Sequence, residues 1–200
     1  ALPIWGKHEV WRRIYVGVRD RLWNTVPAHI SDEQITQGET GFEIRFRAQH
    51  VSDEVDLAWQ GSIAGDARGK ITFRMQGRAQ RGFWRNRIGF CVLHPYAECA
   101  GQPCLVLHTD GTVEEGDFPK EVAPHQPFTD IRAISHAVTP GVRAEVQFEG
   151  EVFEMEDQRN WTDASFKTYS SPLRLPYPVW LDQDTIIQQS VTLSLSERLS

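Results

Sequence analysis

Two hundred residues, 40% of them apolar and 24% charged, suit one ordinary globular domain and argue against a disordered chain. With 27 acidic against 21 basic residues the net charge is −6, which argues against nucleic acid as a partner, since a polyanion binder needs a basic face to displace counterions. No apolar run reaches membrane-spanning length and no charged leader with an apolar stretch opens the chain, so no membrane partner is expected.

In chain order, apolar residues recur every second place in EVWRRIYVGV (9–18) and again in GFEIRFRAQH (41–50), the period of half-buried strands. VDLAWQGSIAGD (55–66) runs into KITFRMQGRA (70–79) through a turn at 65–69, which predicts a hairpin. Two segments break the pattern: RAQRGFWRNR (78–87), and HPYAECAGQP (94–103), where one helical turn inside a loop is expected. Between them, Ile88 to Leu93 is a buried strand. Alternation returns in RAEVQFEGEVFEME (143–156) and TIIQQSVTLSLS (185–196). PLRLPYPVWLDQD (172–184) carries three prolines, which confine it to an edge or a surface strap. Turn signals such as Gln37-Gly38, Asp110-Gly111 and Pro140-Gly141 punctuate the whole. The expectation is all-β: a large antiparallel β-sandwich of about a dozen strands with little helix, formed as a single domain over residues 1–200.

Cys91 lies in an apolar run and reads as a buried thiol; three cysteines cannot all pair within one chain, and a Cys99–Cys104 bridge is left open. Reduced thiols fit a cytoplasmic protein. The chain starts at Ala1 and is soon inside a strand, so it reads as a piece of something longer.

FEMEDQRNWTDASFKTYS (153–170) concentrates hydrogen-bonding groups around one tryptophan. If extended, it places Arg159, Trp161, Asp163, Ser165, Lys167 and Tyr169 on one face. A flat ring beside carboxylate, amide and cationic groups suits a sugar, so Arg159, Asn160, Trp161, Asp163 and Lys167 are candidate substrate-binding residues. The alternative is a polar strand face with Asp163 paired to Arg159 or Lys167. In WRNRIGFCVLHP (84–95), Arg87 precedes the core strand and is a further binding candidate. His94 follows that strand and is an acid/base candidate, against the plainer reading of a histidine capping a turn. In FPKEVAPHQPFTDIRAISH (118–136), His125 sits in a stiff polar loop and Asp130 nearby; with His94 and Asp163, His125 completes the candidate catalytic set. There is no G-x-S-x-G, phosphate loop, dinucleotide fingerprint or H-E-x-x-H, and no histidine spacing selects a metal, so neither metal nor cofactor is expected.

Four strings, RRIYVGVRDRLWNTVP (12–27), RNRIGFCVLHPYAECAGQPC (85–104), PHQPFTDIRAISH (124–136) and FEMEDQRNWTDASFKTY (153–169), resemble the amino-terminal domain of the bacterial D-apionate lactonase family. The resemblance covers nearly the whole chain in order. It implies carbohydrate catabolism, that of apiose, with a sugar-acid lactone hydrolysed to the open acid. It also implies an N-terminal β-domain followed by a TIM-barrel-like domain that this sequence does not contain. Catalytic residues of barrel enzymes sit at the C-terminal ends of barrel strands. The resemblance therefore implies a part of a lactonase, with a sugar acid or lactone and the absent barrel as partners. IGFCVLHP also resembles the mutarotase supersandwich, in which a concave sheet holds a sugar; that likeness would bring His94, Arg87, His125, Arg159 and Asp163 together.

Three readings compete. An N-terminal lactonase domain predicts an exposed apolar patch for its partner domain, expected at Tyr177, Val179 and Trp180. A stand-alone mutarotase-like epimerase predicts a histidine facing a carboxylate across a pocket. A non-catalytic sugar-binding module predicts coplanar aromatics, with Trp84 and Trp161 as platforms.

Overall fold

The computed structural model describes residues 4–197. Its strands are β1 (Ile4–Trp5), β2 (His8–Glu9), β3 (Arg13–Asp20), β4 (Ala28–Gly38), β5 (Gly41–Val51), β6 (Asp56–Asp66), β7 (Ile71–Ala79) and β8 (Phe83–Pro95). After one helical turn, α1 (Tyr96–Cys99), come β9 (Pro103–His108), β10 (Val113–Asp117), β11 (Ile131–Thr139), β12 (Val142–Glu149) and β13 (Glu154–Asp157). A 3-10 turn (Gln158–Trp161) precedes β14 (Ser165–Tyr169), β15 (Val179–Leu181) and β16 (Ile186–Glu197). The all-β expectation and the single helical turn after His94 are met. The strands outnumber the expected dozen because several are only two to four residues long and because β4 carries no apolar alternation; every one of its side chains is exposed.

The chain divides into two compact units, and β3, β8 and β16 run through both. Among the described residues, unit 1 comprises 4–15, 90–172 and 193–197. It holds the antiparallel order β10-β9-β11-β12 with the end of β16, and β13-β14 with the end of β8. In β14 against β8, Phe166 stands opposite His94 and Thr168 opposite Val92. The inward half of the alternation fills the core: Phe118, Phe166, Ile134, Val106, Phe153 and Met155 are almost fully buried, and Phe153 stacks on Phe148 at 4.4 Å. Each such side chain contributes roughly 1.5–3 kcal/mol of hydrophobic stabilisation.

Unit 2 comprises residues 16–89 and 173–192. It holds the order β16-β7-β6-β5-β4, and β15 paired with the start of β8. The predicted hairpin is β6–β7, with Gly65 opposite Ile71; the Asp66 carboxylate accepts from the Arg68 and Lys70 N–H groups and ties the turn. The core side of β5–β7 carries Phe46, Trp59 and Phe73 in edge and tilted contacts at 5.4 to 6.5 Å. His50, stacked on Trp59, is buried and hydrogen-bonds the Val26 carbonyl at 2.7 Å. The proline-rich segment supplies β15, the last strand in its sheet's order, as expected of an edge.

Candidate functional site

The polar stretch 153–170 is not one extended face. After β13 the Asp157 Oδ1 accepts from the Arg159 N–H, the cap of a short helix, and the backbone turns; Thr162, at φ 66°, closes the turn in the left-handed region. Arg159, Trp161 and Asp163 therefore leave the alternating register that Ser165, Lys167 and Tyr169 keep in β14. The Asp157 side chain is fully buried and receives Arg159 Nη2 at 2.6 Å, Arg159 Nε at 2.9 Å and the Ala123 N–H at 3.0 Å. Burial alone would raise its pKa; these hydrogen bonds outweigh burial and hold the carboxyl below its ordinary range. The rest of the Arg159 fork donates to three carbonyls, Pro119, Lys120 and Glu121, at 2.9 to 3.1 Å, and its guanidinium lies 4.4 Å from the centre of the Tyr96 ring. Asn160 Nδ2 adds a bond to the Ala123 carbonyl at 2.7 Å. The stretch clamps loop 118–124 to β13, and its hydrogen bonds are spent within the protein.

The other sequence candidates have separate surroundings. His94 is fully buried in unit 1, its Nε2 paired with the Thr168 hydroxyl at 2.9 Å and its ring 5.6 Å from Phe118. Burial, with the nearby His136, pushes its pKa down to about 3, so it is neutral at ordinary pH. Asp163 accepts from the Ser165 hydroxyl, Lys167 pairs with Glu156, and Trp161 projects with 72% of its surface exposed. His125 is exposed on its loop. Arg87, in unit 2, is buried with its guanidinium 5.0 Å from the Trp23 ring. His94 is thus sealed in the core of unit 1, while the Asp163 carboxylate is engaged by Ser165. All three cysteines are buried and none is in a disulfide, so the open Cys99–Cys104 bridge is not formed, and burial raises both of those thiols to about 12. No group of three or more potential metal ligands occurs among the described residues.

A concavity of about 530 Å³ lies on unit 2, on the face of β4–β7 opposite its core. Register builds it in two cross-strand rows. Ser31 stands opposite Arg47, Arg47 opposite Gln60 and Gln60 opposite Gln76; His29 stands opposite Gln49, Gln49 opposite Ala58 and Ala58 opposite Arg78. The small Ala58 leaves room between Gln49 and Arg78. Asp32 and Asp184 hold the two arginines loosely, at 3.6 and 3.3 Å, and both arginine side chains remain more than half exposed. Amides that both donate and accept suit hydroxyl groups, and arginine forks suit a carboxylate. The sequence signal was the polar half of the alternation: Arg45, Arg47 and Gln49, Gln60 and Ser62, and Arg74, Gln76 and Arg78, which sequence reasoning did not single out.

The chain is 42% identical over 190 residues to the D-apionate lactonase of Brucella anthropi; the alignment covers 94% of this chain and 31% of that protein. It thus spans just under a third of that relative's length. In fold it resembles the galactose 1-epimerase of Lactobacillus acidophilus NCFM (TM-score 0.53, 7% identity, 83% of this chain and 66% of the other). It equally resembles the Slr1438 protein of Synechocystis sp. PCC 6803 (TM-score 0.53, 12% identity, 83% and 66%). These likenesses carry the fold alone, and they bear out the large antiparallel sandwich of mutarotase-like form. Residues 4–198 match the family described as D-apionate lactonase, N-terminal domain, and the chain belongs to that family.

Proposed function

We propose that this chain is the N-terminal domain of a cytoplasmic carbohydrate-catabolic enzyme that hydrolyses a sugar-acid lactone of the D-apionate type. In this reading the groove on β4–β7 holds the hydroxyls of the sugar lactone and the carboxylate of the open acid that its hydrolysis yields. The observation that carries the reading is the 42% identity to a D-apionate lactonase along nearly the whole chain. The groove's chemistry supports it: Arg47 and Arg78 match a carboxylate, and Gln49, Gln60 and Gln76 match hydroxyls. Three buried cysteines outside any disulfide fit a reducing compartment. The bond-breaking step is assigned to residues beyond this chain, because His94 is sealed in a core and Arg159 is saturated by Asp157 and three carbonyls. Trp161 remains a candidate platform for substrate, with Asn160 and Asp163 beside it.

The test is the full-length enzyme with Arg47→Ala and Arg78→Ala combined. The open acid carries the carboxylate that the lactone lacks, so losing two charge-assisted contacts weakens product inhibition by D-apionate about tenfold or more with kcat nearly unchanged. Unchanged product inhibition would remove the groove from the reading, and absence of lactonase activity in the unaltered enzyme would remove the reading itself.

A further inference from the structure

Five aromatic side chains stand exposed among the described residues, and four of them form two touching pairs in unit 2. Trp84 of β8 stands directly opposite Trp180 of β15, with ring centres 5.5 Å apart; Trp23 meets Tyr177 at 5.1 Å. Exposed large rings are ordinary when scattered; rings that pair, as Trp84 and Trp180 do across β8 and the edge strand β15, mark an interface. The rings are also held in place. A Cβ on Gly82 would fall 2.5 Å from Trp180 Cζ2, so the indole lies against bare backbone there. Trp180 Nε1 donates to Asp182 at 2.9 Å, which leaves the ring an apolar surface with its one donor satisfied. The Arg87 guanidinium, 5.0 Å from the Trp23 ring centre, adds a cation–ring contact there. A preset surface of this kind loses little side-chain entropy when it is covered.

We propose that the Trp84–Trp180 and Trp23–Tyr177 pairs form the surface on which the remainder of the lactonase chain docks. This rests on the reading above, that the chain is one domain of a longer enzyme. Two observations select that occupant. The curated relative is about three times as long as the matched region, so two-thirds of such a protein needs a seat on or beside this domain. The rings of the two pairs meet edge-on, at 65° and 75°, so they do not form the flat strip on which a sugar ring stacks. Rings at these angles make ridges that fill pockets in a partner protein, where tryptophan, tyrosine and arginine predominate as anchors.

Hydroxyl-radical footprinting of the full-length protein tests this, with each residue's labelling rate compared with its rate in the urea-unfolded protein. Docking predicts protection of Trp84 and Trp180 by about tenfold or more at every protein concentration, as for rings fully desolvated in an interface. Rates lowered only about twofold, as their 41% and 45% exposure would give, would overturn the proposal. So would protection that fades on dilution, which would assign the surface to a second copy, or protection that needs D-apionate, which would make it a sugar platform. Lactonase activity assayed on the same sample separates the two claims: an active enzyme with freely labelled tryptophans loses the docking surface and keeps the function.

Discussion

Arg159 and Asp157, two residues apart in sequence, form a closed ion pair in which the carboxylate is fully buried and the guanidinium still reaches three backbone carbonyls some forty residues away. The pair is the knot that fastens loop 118–124 to the end of β13.

Arg159→Ala would strand the buried carboxylate and free three carbonyls together. Breaking one partner of such a pair costs about 3–5 kcal/mol. Urea denaturation should show that loss, with faster hydrogen exchange across 118–124, whereas Trp161→Ala, at an exposed ring, should change stability by no more than about 0.5 kcal/mol. Equal effects of the two substitutions would contradict the clamp.

His94 and His136 flank Phe118, each ring centre 5.6 Å from it. Burial first, then the neighbouring His136, lowers His94 to about 3; burial first, then Arg143, lowers His136 to about 4. Both folded values lie below the unfolded value near 6.5, so on acidification the unfolded chain takes up protons before the folded one does. Stability is complete above about pH 6.5 and falls with pH down to the folded values, by about 2–3 kcal/mol per unit near pH 5 for the two together. The urea midpoint should therefore drop clearly between pH 7 and pH 5; a flat profile would show that these rings are not sealed.

Gly61 faces the core opposite Phe46, and a Cβ there would come within 2.3 Å of Phe46 Cζ. Phe46 has Trp59 and Phe73 against it, so its ring has little room to give. Gly61→Ala is expected to cost about 1–3 kcal/mol through overpacking. Gly38→Ala, with open space around it, is the control and should be near neutral. Thermal unfolding of the two variants side by side checks the difference.

The alternating strands were legible because one face of each is apolar: β5, β6, β7, β12 and β16 lie where their period of two places them. β4 was not legible, since a strand exposed along its whole length has no apolar half to read. In 157–161 an aspartate at the cap of a turn was a readable sign that the chain bends, but the acceptors of Arg159 are carbonyls of Pro119, Lys120 and Glu121. Backbone groups that distant leave no side-chain signature. His94 shows the same limit: a polar residue at the end of a core strand reads as a cleft residue until the partner Thr168 and the lid Phe118 are placed over it. The groove was written in the sequence as Arg47, Gln49, Gln60, Gln76 and Arg78, yet only the register of four strands shows that they meet.

The most direct measurement is calorimetric titration of the protein with D-apionate, in parallel with the Arg47→Ala/Arg78→Ala variant. The account predicts binding by the unaltered protein and an affinity weakened about tenfold or more in the variant, the loss expected for charge-assisted contacts, with an unchanged urea midpoint because both side chains are exposed. Equal affinity in the two proteins would contradict a sugar-acid site on β4–β7.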